Sequence, residues 1–380
     1  MATDTTGRGP AGLNVGGCIL VVLLWTLVAA SRGARCTARS GASFLHVSHS
    51  GAGGWGMAQA PDACEGEMAA TAASRGRLRH LALFYHGRGE YLSALGGFIR
   101  ASRARGDAIL VAVPEGKTQL VRRKLGDDSA QVTLVDMAEL GRNPARIIPA
   151  VLAYAGKHRG QRVCCIGEPI WPGRTAAEMH EATRHEALVN LAFRDSPVTA
   201  VCPYDSTGLP RSVIADAACT HPAVIKGRRE TASARYLGPA VLPPRCDRPL
   251  PRPPAHAEAL GYRDDLRQVR RFVASRARRA GLTPPRIPDL VIAISELTAN
   301  TVRHTGGGGT VQVWRTSEEI IGQVADTGQI TDPLARHRAR SDELLGGNGL
   351  WVVNQVCDLV QARTGQAGTT TRVHMRLRRP

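Results

Sequence analysis

Between Pro288 and His304, apolar side chains recur near helical spacing at Leu290, Ile294, Leu297 and Val302, which predicts an amphipathic helix. Glu296 and Asn300 stand four residues apart on that helix, so one face offers a carboxylate and an amide to a single ligand. The run from Ile320 to Ala325 reads as a strand and releases Asp326 at its end. Further on, Gly346, Gly347 and Gly349 precede an apolar stretch, Leu350 to Leu359, that reads as another helix. Small residues there let backbone N–H groups approach a phosphate at a helix N-terminus. Arg372 to Leu377 reads as a closing strand.

The middle of the chain, from Arg79 to about Lys226, alternates two periods. Ala108–Val113, Val132–Asp136, Val163–Gly167 and Val198–Cys202 are short apolar runs expected to be buried parallel strands. Helical patterns such as Tyr91–Arg105 and Ala176–Phe193 lie between them, the signature of an α/β unit. Gly116-Lys117-Thr118 follows a strand and opens a helix, the context of a P-loop. The first glycine of that motif would fall on Val111, so a complete phosphate cradle is missing and the triplet reads as a degenerate remnant. Glu168, Trp171 and Arg174 follow the third strand, and His185 and Glu186 lie on the next helix. Ligands of open α/β sheets bind at such strand ends, so Glu168, Trp171, Arg174 and His185 are candidate contacts for a small ligand. The equal alternative is a loop shaped by Pro169 and Pro172 whose polar groups satisfy its own backbone. His80 and His86 flank the first strand-like segment without a ligand partner in sequence and are expected to be solvated or hydrogen-bonded.

Pro239, Pro243, Pro244, Pro249, Pro251, Pro253 and Pro254 crowd one short segment that cannot be helical, which predicts an extended linker and a loose tether between two domains. A length of 380 residues has room for both. The net charge of +17 would suggest a nucleic-acid partner, yet the basic residues are spread along the chain and aromatics make up only 4%. With no helix-turn-helix or RNA-binding motif either, no direct nucleic-acid contact is expected. Nine cysteines without a C-x-x-C pair or paired metal-ligand spacing point to free thiols in a reducing, cytoplasmic compartment.

Three motifs, Glu296-Leu-Thr-Ala-Asn300-Thr-Val-Arg-His304, Asp326-Thr-Gly328 and Gly346-Gly-Asn-Gly349-Leu-Trp, resemble the asparagine box and two glycine boxes of the ATP-binding fold shared by gyrase and histidine kinases, the GHKL fold. The stretch from Arg263 to Arg378 is most similar to the anti-sigma-factor serine/threonine kinases of bacteria, in their compact actinobacterial form. The resemblance implies that Asn300 ligates Mg²⁺, Glu296 acts as general base and Asp326 accepts from the adenine amino group of ATP. It further implies that Gly328 lets backbone pass the base, that Gly346, Gly347, Gly349 and Leu350 belong to the phosphate side, and that Thr369 completes the adenine pocket. Ile330 stands where that fold carries another glycine, a departure that bears on lid geometry.

The middle segments "LALFYHGRGEYL", "DMAELGRNPARIIPA", "GEPIWPGR", "RHEALVNLAF" and "CPYD" look like the MEDS sensory domain, a relative of RecA-type ATPases. The expected architecture is therefore α/β throughout: a RecA-like α/β sensory domain over 76–228, a proline-rich linker over 229–258, and a GHKL-type α/β sandwich ATPase over 259–380 with helices on one face of a mixed sheet. Residues 1–75 carry a short apolar run, 18–30, and read as a disordered or mis-annotated extension with Met57 or Met68 as the true start; a weak membrane anchor is the alternative. The resemblance implies an anti-sigma regulatory factor that phosphorylates an anti-anti-sigma (STAS-type) protein, binds a sigma factor, forms a homodimer and answers to an unknown small ligand at the sensory domain. The alternatives are an ATP-binding signalling or scaffold protein without transferase activity and an atypical sensor histidine kinase.

Overall fold

The computed structural model describes residues 76–377 apart from 228, 244, 245, 247, 336 and 338–347. The N-terminal stretch with its apolar run 18–30 lies outside the described residues. Among the described residues, no helix is long and apolar enough to cross a membrane.

Seven strands make the first sheet: β1 (Arg79–Tyr85), β2 (Ala108–Val113), β3 (Thr133–Asp136), β4 (Val163–Gly167), β5 (Val198–Asp205), β6 (Ala223–Lys226) and β7 (Arg229–Ala232). Their order is β3-β2-β4-β5-β1-β6-β7, and all neighbours are parallel except the β6–β7 pair. Helices cover both faces, so every residue of β2 and β4 is buried and the strands read as continuous apolar runs rather than alternating ones. The covering helices are α1 (Gly87–Ala104), α2 (Glu115–Leu125), the single turn α3 (Met137–Leu140), α4 (Ile147–Lys157), α5 (Ala176–Ala192) and α6 (Arg211–Thr220). A capping box, with Thr175 and Glu178 exchanging hydrogen bonds, fixes where α5 begins.

The second sheet runs β11-β12-β10-β9-β8, formed by β8 (Glu258–Tyr262), β9 (Gly309–Arg315), β10 (Glu319–Asp326), β11 (Leu359–Gly365) and β12 (Gly368–Arg376). All of its pairs are antiparallel, where the sequence suggested a mixed sheet. One face packs on α7 (Leu266–Arg279), α8 (Ile287–Thr305) and α9 (Gly349–Val356). Val269, Leu290, Ile294 and Leu297 from the helices meet Val311, Val324 and Val373 from the strands in one apolar core. The expected last helix is shorter than its apolar pattern, because Cys357 turns to extended backbone and Leu359 starts β11.

The proline-rich segment is not a loose tether. Proline removes an N–H donor but keeps its carbonyl acceptor: Arg372 donates to the Pro251 carbonyl at 2.7 Å, and Arg363 donates to the nearby Arg248 carbonyl at 3.1 Å. Cys246 is buried, and its carbonyl accepts from Arg184 at 2.9 Å. The two sheets accordingly share one compact unit. Arg142 pairs with Asp358 at 3.2 Å, Glu181 with Arg363 at 2.8 Å and Glu178 with Arg376 at 2.8 Å. Asn143 donates to both the backbone and side-chain oxygens of Asn354 in α9.

Candidate functional site

Two helices and one strand end build the site of the second domain. Helix α8 is closed by Gly306 in the left-handed conformation, with Arg303 and His304 in its last turn. It carries Glu296 and Asn300 half-buried on the side that meets α9. Gly349, the first residue of α9, comes so close that a Cβ there would stand 2.6 Å from Glu296 Oε2 and 3.3 Å from Asn300 Nδ2. A side chain at this position would displace the tips of Glu296 and Asn300, so the start of α9, the carboxylate and the amide form one cluster. Leu350 follows, half-buried against the core.

Asp326 ends β10 with both carboxylate oxygens held. Thr301, one turn beyond Leu297 on α8, donates to Oδ2 at 2.6 Å, and the Gly328 N–H donates to Oδ1 at 2.8 Å. Tyr262 from β8 donates in turn to Thr301 at 2.9 Å. Burial pushes the Tyr262 phenol up to about 12; the Thr301 hydrogen bond opposes the shift and the nearby Asp326 charge adds to it. Buried Thr369 on β12 donates to the Gly328 carbonyl at 2.8 Å. Asp326 and Thr369 face each other in register. The backbone between them is equally tight, because a Cβ on Gly368 would overlap the Asp326 carbonyl.

Of the residues singled out from sequence, Glu296, Asn300, Gly349 and Leu350 thus gather along the C-terminal half of α8, and Asp326, Gly328 and Thr369 adjoin Thr301, the residue after Asn300. Gly346 and Gly347 lie outside the described residues. Tyr262 and Thr301 were missed; only their tertiary position makes them partners of Asp326. The set suits a nucleotide. Asp326 is an oriented acceptor fixed before any ligand arrives, and the Glu296–Asn300 pair adjoins a helix start where N–H groups favour anionic oxygens.

In the first domain Trp171 and Arg174 meet, while Glu168 and His185 are buried. Glu168 is fully buried and accepts from Lys117 Nζ at 2.5 Å, from Tyr85 at 3.1 Å and from Tyr91 at 3.4 Å. Burial pushes its carboxyl up, against the opposing pull of the Lys117 ammonium. The lysine of the degenerate P-loop is therefore engaged inside the fold, over the faces of both tyrosine rings. Arg174 stacks on Trp171 and donates to the carbonyls of Pro169 and Gly141, fastening two loops. His185 Nδ1 is buried without a hydrogen-bond partner, and burial pushes that imidazole down to about 4. His185 lines a cavity of about 30 Å³ with Met137, Ile147, Cys165, Glu186 and Cys202. That volume suits a water-sized occupant rather than a metabolite.

The sequence itself matches two family models. Residues 79–222 match the MEthanogen/methylotroph, DcmR Sensory (MEDS) domain, and residues 262–375 match the histidine kinase-like ATPase domain. No curated protein matches the chain. Among solved structures, the chain is similar to one described as an ATPase domain at 13% identity, over 40% of this chain and 68% of that one, with a TM-score of 0.27. It is also similar to a DnaB-like replicative helicase, solved with its interactions with primase, at 13% identity over 52% of this chain and 49% of that one, with a TM-score of 0.26. Scores this low add nothing to the assignment of either domain.

Proposed function

We propose that the chain is an ATP-dependent serine/threonine kinase of the anti-sigma type, governed by its MEDS domain. A sensory domain joined to a kinase-like ATPase domain supports a regulatory, ATP-binding role. The observation that carries the finer reading is the cluster of Glu296, Asn300 and Gly349, a carboxylate and an amide set against the start of one helix.

In this reading Asp326 accepts from the adenine amino group, with Thr369 and Gly328 shaping that end of the pocket. Asn300 holds Mg²⁺, and Glu296 takes the proton from an incoming serine or threonine hydroxyl. ATP supplies the phosphoryl group. The acceptor is an anti-anti-sigma protein of STAS type, the competing partner is a sigma factor, and the working form is a homodimer. The histidine-kinase alternative calls for a helical hairpin just upstream, and the described residues between β7 and β8 contain no α-helix.

Replacing Glu296 and Asn300 separates binding from transfer. Glu296→Ala should keep Mg·ATP affinity within a few-fold and abolish phosphorylation of the cognate antagonist, whereas Asn300→Ala should weaken Mg·ATP binding itself. Phosphorylation that survives Glu296→Ala would remove the general base from the proposal. A wild-type chain that binds ATP and phosphorylates no antagonist would leave a nucleotide-dependent scaffold.

A further inference from the structure

Four side chains far apart in sequence converge on the α5–α6 side of the first sheet. His80 stands on β1, Cys202 on β5, Glu186 on α5, and His221 caps the C-terminus of α6. All four are buried, and their candidate ligand atoms lie within 4.8 Å of one another. Register explains part of this. His80 pairs with Ala200 and Ala82 with Cys202, so His80 and Cys202 point to the same face of adjacent strands.

Both imidazoles have their tautomer dictated from outside the cluster. The Asn190 amide donates to the Thr220 carbonyl at 2.8 Å, which turns Asn190 Oδ1 toward His80 Nδ1 at 3.0 Å. An amide oxygen only accepts, so His80 Nδ1 carries the proton. His221 Nδ1 likewise sits 2.8 Å from the Ala217 carbonyl. In each neutral ring Nε2 is then left as a lone pair, and both are aimed at the carboxylate of Glu186, 3.0 Å from His80 and 3.5 Å from His221. Glu186 Oε1 is buried with no hydrogen-bond partner. Three acceptors therefore converge, with the Cys202 thiol and the Tyr204 hydroxyl as the neutral donors beside Glu186. A bound cation, or a proton on an imidazole, would relieve such a group.

Four of the ligand spacings can be compared with those that a tetrahedral cation sets, within a group whose widest separation is 4.8 Å. Tetrahedral zinc, with bonds of about 2.0 Å to nitrogen or oxygen and about 2.3 Å to sulfur, sets its ligand atoms about 3.3 to 3.6 Å apart. Here the separations are 3.0 and 3.5 Å between nitrogen and oxygen, 3.5 Å between Cys202 Sγ and His80 Nε2, and 3.4 Å between Cys202 Sγ and Glu186 Oε2. Outward hydrogen bonds that fix the metal-facing nitrogen are the usual support of such ligands.

We propose that His80, Glu186, Cys202 and His221 form a closed four-ligand site for a divalent transition ion, zinc being the best fit. Binding releases the Cys202 thiol proton to solvent, and the thiolate, the carboxylate and two neutral imidazoles take the ion. The site ties central strands β1 and β5 to α5 and to the end of α6. It also borders the cavity beside His185, which shares Glu186 and Cys202 as lining.

The test uses the full chain. Elemental analysis after zinc loading and desalting should find about one equivalent per chain. Replacing zinc with Co²⁺ should give the visible bands of a tetrahedral ion and a thiolate-to-cobalt charge-transfer band in the near ultraviolet. Cys202→Ser should remove that band, and Cys219→Ser, a half-buried thiol outside the cluster, should leave it. Should Cys202→Ser fail to fold, the wild-type metal content and cobalt spectrum decide alone. A folded wild-type chain that retains no zinc overturns the proposal, since protonated imidazoles would then balance Glu186. So does a charge-transfer band that persists in Cys202→Ser.

Discussion

Replacing Asp326 with asparagine removes one charge and keeps the shape of a side chain whose surroundings are fully specified. In the native site Oδ1 takes the Gly328 N–H and Oδ2 takes the Thr301 hydroxyl. An asparagine must keep its oxygen toward Gly328, since an NH₂ there would oppose another donor, and so its NH₂ faces Thr301. Thr301 can adapt, because the Leu297 carbonyl lies 3.2 Å away as an alternative acceptor and the hydroxyl oxygen can accept from both the introduced amide and Tyr262. The cost to folding should be about 1 kcal/mol, a drop in Tm of about 2 to 4 °C. The cost to nucleotide binding should be larger. A hydrogen bond to a charged acceptor contributes about 1.5 to 3 kcal/mol, so losing the charge should weaken ATP roughly 10- to 150-fold. Calorimetric titration of Mg·ATP into the full chain, beside a thermal melt, reads both numbers. An affinity within about threefold of wild type would refute the role given to Asp326. A fall in Tm of more than about 10 °C would instead make the carboxylate a structural pin.

Glu168→Ala should cost about 3 to 5 kcal/mol, because it strands the Lys117 ammonium and two tyrosine hydroxyls, whereas the double replacement Lys117→Met with Glu168→Leu should be nearly neutral; equal losses would refute the reasoning. Lys117→Met alone leaves a carboxyl that burial already raises above its ordinary value of 4.5. The folded state then binds the extra proton, so stability is greatest below that value and is lost as pH rises through the folded pKa; Tm should fall as pH rises above 4.5, and a flat profile would count against it. Leu334, just before the third motif, is buried in the sensory-domain core with Ala108, Leu110 and Met137, although it belongs to the ATPase stretch. Leu334→Ala should cost about 2 to 5 kcal/mol and change ATP affinity without touching a site residue, and an unchanged affinity would uncouple that anchor from the site.

What could be read in advance was what local periodicity encodes. The spacing of Leu290, Ile294 and Leu297 placed Glu296 and Asn300 on one helical face, and the run ending at Ala325 put Asp326 at a strand end; the fold holds them there. The apolar pattern that continues into Leu359 hid the turn at Cys357, because a buried helix and a buried strand look alike over so few residues. His80 looked isolated because its partners lie 106 and 122 positions away, with no local spacing to betray them. The prolines were read as stiffness alone, and the carbonyl acceptors of that segment, Arg248 for Arg363 and Pro251 for Arg372, depend on where those arginines arrive in the fold.

Helix α9 is a short strut with each end in a different domain's business. Its first residue touches Glu296 and Asn300, and Asn354 in its last turn is gripped by Asn143 of the sensory domain. Eight residues of α-helix span about 12 Å and do not bend appreciably over that length. A shift of the Asn143 turn should therefore be carried to Gly349, as motion at one end of a rod reaches the other. Because the start of α9 lies against the tips of Glu296 and Asn300, such a shift should move the carboxylate and the amide with it.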